Sequence, residues 1–456
     1  MKKRIFCTIL LAFILISLVG CGTTGNPSAP DSPSATPIAT PSATPSAADT
    51  PQPAPENVSF SLWHSYVGTD QRAGVMETSM GEFGKEHPEY VIDEQKIPRD
   101  QYQTKLKTQA AADALPEAFL CWPNAMTIEF AQAGLLADIN GFLDANPDWK
   151  NSVVTPAISE FTVDGKTYSV GNGVSLTSLV FYNKDLFAKN SLTYPKTFSE
   201  FKQACQTFIN NGVIPIAHGD KPQWPAQSSI LSCVANRETG SEWLNNVLSG
   251  SGAKFTDPEF IKALNDIKDL ATMGAFNKDY MSLDNAQMRD YFFRGEAAMM
   301  IDGSWALPEI IAKAPADLKA NIQVGVLPAF EGGKGDANAV SGVSGTGIVI
   351  SAKASSAQKS AIENLIMKLT GAGSQDMYVR NGIIPSALKT NVPDSEVDPV
   401  FKQVLTILGS SPLVAVYDSA LNSEQAEIIN NGLQSLMLGT QTPEAIAQEL
   451  QNAVKP

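Results

Sequence analysis

The sequence is poor in the residues that build metal centres and cross-linked scaffolds. Three histidines in 456 residues leave little room for a His-rich metal site. Five cysteines, two of them at positions 7 and 21, are no disulfide framework for a chain of this length. No HExxH, CxxC, Walker loop or GxSxG is present. Positive charge is scarce as well: 33 Lys and Arg against 47 Asp and Glu leave a formal charge of −14. An acidic surface repels phosphate backbones and anionic lipid, so neither a nucleic-acid partner nor electrostatic membrane docking is expected. Beyond residue 20 no run reaches 18 apolar residues, so the mature chain is expected to span nothing. With 43% hydrophobic and 18% charged residues, the composition is that of a folded protein and excludes wholesale disorder.

Three near-matches to chemical motifs fail on inspection. Gly342 to Gly347 is spaced GxxGxG and reads as a turn into the strand Ile348-Val349-Ile350. Ser356-Ala357-Gln358-Lys359 matches SxxK without its companions, and Ser355 or Ser356 reads as a helix N-cap. Asp144 to Asp148 begins like a calcium loop, but Trp149 replaces the glycine and Thr155 the bidentate glutamate. Neither a catalytic residue, a metal site nor a cofactor is expected. Cys121, Cys205 and Cys233 stand in apolar surroundings and read as buried thiols, with a Cys205–Cys233 bridge left open.

The first 56 residues give an address. Lys2, Lys3 and Arg4 precede an apolar stretch from Ile5 to Val19, the length of a signal-peptide core. The stretch ends in Leu18-Val19-Gly20-Cys21, which resembles the bacterial lipobox, with Cys21 lipidated after removal of residues 1–20. Nine prolines fall in residues 22–56 among Ser, Ala and Thr, so residues 21–56 form a lipidated cysteine and a polyproline-stiffened tether. Together they imply a domain working on the outer face of a bacterial cell membrane, and the length of the tether implies a thick wall and a Gram-positive source.

From Asn57 onward, strands alternate with helices. Val58, Phe60 and Leu62 alternate with Ser59 and Ser61 as a strand. Thr69 or Asp70 can cap a helix carrying Met76, Met80 and Phe83 and stopped by Gly84 and Pro88. Phe119 to Trp122, Leu179 to Tyr182, Ala297 to Ile301, Val324 to Leu327 and Gly347 to Ser351 read as further strands. Thr197 and Thr256 open capping boxes, and Thr442-Pro443 starts the last helix. The alternation predicts α/β layers with mostly parallel sheets.

Four of the six tryptophans fall where strands exit: Trp63 beside His64, Trp122 before Pro123-Asn124, Trp224 after Gln223, and Trp305 after Asp302-Gly303-Ser304. Ligands of α/β sheets bind at the carboxyl ends of strands. Flat indole faces with neighbouring hydrogen-bonding groups suit a pyranose ring, which is apolar on its face and hydroxylated at its edge. Trp149 and Trp243 stand in helical or polar surroundings and read as structural.

Longer segments carry a family likeness. Leu120-Cys121-Trp122 followed by Phe130 to Ile139, Gly165 to Val170 with Phe181 to Phe187, Pro195-Lys196-Thr197-Phe198-Ser199-Glu200, and above all Phe293 to Met300 through Gly303-Ser304-Trp305 come in a familiar order. With Asn381-Gly382-Ile383-Ile384-Pro385, they resemble the extracellular solute-binding proteins of carbohydrate ABC importers, the maltodextrin-binding-protein-like group. Phe198 stands where the family usually has Trp, and the segment Tyr168 to Asn172 lacks a proline that many relatives carry.

The resemblance implies a type II periplasmic-binding-protein-like fold: two discontinuous α/β lobes joined by about three crossovers. Lobe one is expected at 57–172 with 333–384, and lobe two at 173–332 with 385–456. An oligosaccharide would lie in the cleft between them, touched by Trp63, His64, Trp122, Asn124, Asn172, Gln223, Trp224, Asp302, Ser304, Trp305, Tyr417 and Asp418. The implied partners are ABC permease transmembrane subunits with a cytoplasmic ATPase. The chain is expected to be a monomer that meets the membrane through its lipid alone. The competing expectation is a surface-anchored glycoside hydrolase, which needs two carboxyls about 5–9.5 Å apart across one bond.

Overall fold

The computed structural model describes residues 57–68 and 71–454. The leader, Cys21, the tether and the candidate caps Thr69 and Asp70 lie outside the described residues. Among the described residues no helix is long and apolar enough to cross a membrane.

Two sheets organise the domain. In the first, Val58–His64 lies parallel to both Tyr90–Lys96 and Ala118–Cys121. Gly347–Ser351 returns more than 200 residues later to run antiparallel beside Ala118–Cys121, and Leu136–Ala137 closes the edge. The second sheet has the order Ile322–Val326, Leu179–Asn183, Ala297–Asp302, Ile214–Ala217. Leu179–Asn183 is antiparallel to both neighbours, and only Ile214–Ala217 pairs parallel. The sheets are therefore mixed, not mostly parallel as the alternation predicts. Strands that enter from the other sheet run against those laid down by local strand–helix units.

Each strand follows the side-chain period of two. In the first, Phe60, Leu62 and His64 are buried, whereas Ser59, Ser61 and Trp63 retain exposure. Ala297–Asp302 is buried throughout, so both its faces are covered, and two cores share its side chains: Ala298, Met299 and Ile301 join one, Ala297 and Met300 the other. That double cover explains its unbroken apolar run. The helix Gln71–Glu86 buries Met76 and Phe83, runs through Gly84 and ends two residues before Pro88, so the proline and not the glycine marks its stop.

Capping follows the expected signals in two cases. Ser355 and Gln358 form a reciprocal capping box, and Thr442 accepts the Ala445 N–H ahead of Pro443. Thr197 accepts the Glu200 N–H, but the Glu200 carboxylate takes the Lys196 N–H at 2.7 Å, so the box is not reciprocal. Asp257, not Thr256, is the N-cap of Pro258–Thr272, and its carboxylate is engaged by Trp243 Nε1 and the Lys254 N–H. Cys205 and Cys233 are both buried free thiols, so no bridge joins them.

The chain passes between the two bodies of core three times. Val170 belongs to the core of the first sheet and Leu176 to a core of the second; Val340 and Ile348 mark a return, and Leu369 and Ile384 a further departure. The crossing segments are tied together. Val174–Leu176 pairs antiparallel with Val340–Ser344, which pairs parallel with Leu413–Val414, and the Val174 N–H donates to the Ile384 carbonyl at 3.0 Å. Residues before Val340 stay with the second body. The Gly335 N–H donates to the Arg237 carbonyl, and the buried Arg237 guanidinium donates to the carbonyls of Leu327, Pro328 and Ala339.

Small residues let the crossing segments touch. A Cβ on Gly345 would lie 2.7 Å from the Asn172 carbonyl oxygen and 3.1 Å from that of Gly173, with backbone on each side and no flexible side chain to yield. Gly345→Ala is expected to lower stability by about 1–3 kcal/mol. Gly81, exposed inside a helix with nothing within 4 Å of an added Cβ, is the control. Gly81→Ala is expected to raise stability by up to about 1 kcal/mol. Denaturant midpoints of the two variants check both signs.

Candidate functional site

A cleft of about 240 Å³ opens between elements of the two bodies. One wall is the helix Arg99–Ala111, anchored in the first core by Tyr102 and Leu106, with Trp122, Met126 and Glu129 beyond the strand Ala118–Cys121. The opposite wall is Pro222 and Trp224, then Asp418, Leu421, Ser423 and Asn430, carried by segments packed on the second body. Hydrogen bonds span the two walls. Asn124 Nδ2 donates to Ser419 Oγ at 2.9 Å, and Lys107 Nζ to Ser423 Oγ at 2.7 Å, while Ser423 in turn donates to Glu129 at 2.7 Å.

Three indoles converge beside this cleft on one guanidinium. The Arg99 Cζ lies 5.7 Å from the Trp122 ring centroid, 4.7 Å from Trp224 and 5.7 Å from Trp305. Trp224 and Trp305 meet edge to face at 5.5 Å and 72°. Quadrupole attraction favours such a cation over indole faces by about 0.5–2 kcal/mol each, more where water is excluded. The rings are half-buried and keep part of their surface for contact.

Trp305 is held from behind. Its Nε1–H donates to Asn285 Oδ1 at 3.0 Å, and Arg289 donates to the same oxygen at 2.7 Å. Asp302 Oδ1 accepts from Asn285 Nδ2 and from the Gly303 N–H, and its Oδ2 accepts from Arg289 Nε at 2.8 Å. Arg289 also donates to Glu309 at 2.6 Å. A Cβ on Gly303 would run into the six-membered ring of Trp305, so this glycine is needed for space.

Trp224 differs. Its Nε1 is buried and has no hydrogen-bond partner in the protein, and the same holds for Asn430 Oδ1, another cleft residue. An unmatched buried donor and an unmatched buried acceptor are costly unless something that binds there satisfies both. A ligand hydroxyl has both capacities.

The expected site residues therefore divide. Trp122, Trp224, Trp305 and Asp418 are brought together, with Asn124 bridging the walls. Gln223 places its amide on Asn431 and Gln434, and its positive φ of 69° turns the chain ahead of Trp224. The others are engaged elsewhere. His64 is fully buried, with Nε2 on Glu94 at 2.7 Å and Nδ1 accepting from the Tyr66 N–H, because it continues the inward face of its strand. Trp63 lies under the Lys105 ammonium at 4.2 Å. Asn172 bonds Gln375 and Thr346 in the crossover. Asp302 is an internal ion-pair partner, and Ser304 Oγ accepts the Leu176 N–H. Tyr417 is a core residue stacked on Phe260 at 5°. Arg99, Lys107, Asn285 and Asn430 enter the site without a sequence motif that singles them out.

Two carboxyls near the walls are shifted. Burial pushes Asp418 up to about 6, with Arg99 opposing it. Burial pushes Glu160 up to about 7, offset in part by the Ser344 N–H at 2.7 Å and by the Asn124 side chain. Asn124 itself sits at a φ of 56° and accepts no cap role, while its N–H donates to the Glu160 carbonyl. A carboxyl raised above its unfolded value of 4.5 binds its proton more tightly in the fold. Its stabilising contribution is full below about pH 4.5 and is lost as pH rises through about 7. Across that window the denaturation midpoint of the wild type is expected to fall relative to Glu160→Gln, which stays neutral. Parallel profiles reject the assignment.

The two bodies of core are joined by tied crossovers, and Trp122 from one and Trp224 from the other line one cleft. The sequence profile of a family described as bacterial extracellular solute-binding protein matches residues 65–372, and the chain belongs to that family of binding proteins. It is 24% identical over 340 residues to a multiple sugar-binding protein of Streptococcus mutans serotype c, covering 71% of this chain and 75% of that one. A structure from work on xylan utilization by the thermophilic bacterium Caldanaerobius polysaccharolyticus matches with a TM-score of 0.80 and 26% identity, over 87% of this chain and all of that one. A chitin oligosaccharide binding protein matches with a TM-score of 0.81 and 26% identity, over 87% and 98%.

Proposed function

We propose that this chain is the ligand-capturing component of an ABC importer and binds an oligosaccharide of two or more units in the cleft. The observation that carries the reading is the convergence of Trp122 from one lobe with Trp224 and Trp305 from the other, within 5.7 Å of one guanidinium. Indole faces suit the apolar faces of sugar rings, and Trp224 Nε1 and Asn430 Oδ1 suit hydroxyls. The names of the relatives, sugar and chitin-oligosaccharide binders, point the same way. A ligand touching both walls only when the lobes are shut favours the closed form by that difference alone. In this reading lobe one is 57–172 with about 341–384, and the remainder forms lobe two, judged by which core each segment joins.

Calorimetry against a panel of neutral oligosaccharides tests the reading. Saturable heat from at least one is expected, with no new sugars on prolonged incubation. Trp305→Ala is expected to weaken that ligand roughly ten- to a hundredfold, for about 1.5–3 kcal/mol of apolar contact, at a nearly unchanged melting temperature. Silence from every sugar overturns the reading, and released products favour a hydrolase.

The loaded form docks on a two-subunit permease served by a cytoplasmic ATPase, and the protein works as a monomer. It sits on the outer face of the cell membrane of a Gram-positive bacterium, tethered by lipid on Cys21. Cys21→Ser is expected to move the protein from the detergent phase to the aqueous phase in partition experiments. An unmodified Cys21 thiol in the mature wild type removes the anchor.

A further inference from the structure

The two adjacent tryptophans differ in what they can still offer a ligand. The Trp305 N–H is engaged by Asn285 Oδ1 at 3.0 Å, on an amide that is itself fixed by Asp302 and Arg289. These three supporting residues are each at most 7% exposed. The Trp224 N–H is out of water and has no protein partner, although its side chain lines the cleft. The edge-to-face angle of 72° between the two rings forms a corner, not a stack.

We infer that the pair divides recognition: Trp305 supplies a ring face alone, Trp224 donates its indole N–H to a ligand oxygen, and Asn285 is the positioning residue that enforces the division. The inference rests on the oligosaccharide reading and adds to it which atom of the corner reads the ligand. Trp305 is blind to the placement of hydroxyl groups, since its only polar atom is turned away and occupied. Discrimination between sugars that share a ring face but differ in one oxygen falls to Trp224. Asn285 touches no ligand and acts through the plane in which it holds Trp305. Gly303 works from the other side, because any side chain there would strike the ring.

Paired substitutions separate the roles. Phe in place of Trp removes the N–H and the same share of ring area at either position; the two variants are compared in an Asn285→Leu background, where the Trp305 N–H has already lost its partner, so that their difference isolates the bond to the ligand. With the best ligand from the sugar panel, Trp224→Phe is expected to lose about five- to tenfold in affinity beyond the loss in Trp305→Phe, the size of one hydrogen bond. Asn285→Leu is expected to weaken binding about tenfold in the wild-type background. It should add nothing in a Trp305→Ala background, as required of a residue that acts only through Trp305. Gly303→Ala leaves the Asn285–Asp302–Arg289 groups intact, and it stands in if Asn285→Leu does not fold.

A readout free of sugar completes the test. In nitrogen-labelled full-length protein the Trp305 indole proton should exchange slowly with solvent, and Asn285→Leu or Gly303→Ala should shift its resonance and speed the exchange. Equal losses for the two Phe variants, or an additive Asn285→Leu effect on Trp305→Ala, overturn the division. An indole signal unmoved by either positioning variant overturns the role of Asn285 whatever the sugar result. Failure of every sugar to bind, with the indole behaving as expected, overturns only the oligosaccharide reading and leaves Asn285 as the anchor of Trp305.

Discussion

Three stretches of chain pass from one body of core to the other, and they do so in contact with one another. Backbone lies against backbone at Gly173 and Gly345, and ladder hydrogen bonds join Val174–Leu176 to Val340–Ser344. Such a joint admits no side chain between its parts, so it can bend only by small changes in backbone angles near these positions. Everything in the cleft depends on it. The walls meet through Asn124 with Ser419 and Lys107 with Ser423, pairs that form only if the joint sets the two bodies at one particular angle. A hinge of few residues carrying two stiff bodies is the usual arrangement for closure around a ligand.

The chemistry of the cleft follows from where the sheets end. Trp122 leaves Ala118–Cys121, and Trp305 leaves Ala297–Asp302 through a turn that Asp302 caps with its own carboxylate. The last residue of that strand is therefore structural, and the residue three positions on packs against Arg99 and Trp224 beside the cleft. Arg99 comes from the first turn of a helix, where it reaches all three indoles. A guanidinium there keeps a cation against aromatic faces without excluding a sugar from the remaining surface, because each ring is only half-buried. Charge in the cleft is balanced: Arg99 lies near Asp418, and Lys107 connects through Ser423 to Glu129. That balance suits an uncharged ligand.

Much of this was legible in the sequence, and the failures have physical reasons. The strands and the tryptophans at strand exits follow from alternation, and the late return of Gly347–Ser351 follows from the family likeness. His64 was within reach of the same reasoning: Phe60 and Leu62 face inward, so a period of two sends His64 inward as well. Asp302 likewise ends a strand with no exposed position. Tyr417 and Asp418 are neighbours with opposite fates, one stacked on Phe260 and one in the cleft, and a four-residue helix gives no periodicity to tell them apart. Arg99, Asn285 and Asn430 had no signal of their own. Their roles arise from contacts across long separations, which neither composition nor local pattern encodes. The mixed strand directions were hidden for the same reason, since they follow from the route between lobes.

The buried thiols have a use that their inertness creates. Cys121 lies in the core of the first sheet, and Cys205 and Cys233 in a core of the second, all three free. Burial pushes the Cys121 and Cys205 thiols up to about 12 and raises Cys233, so as thiolates they are absent while the fold is intact. A family that works outside the cell meets oxidants there, and here protection comes from packing in place of pairing. Each thiol can react only in molecules whose own lobe has opened to solvent. The rate at which a thiol reagent labels Cys121 therefore counts openings of one lobe, and labelling of Cys205 and Cys233 counts openings of the other. The sequence thus carries a separate clock for each half of the molecule.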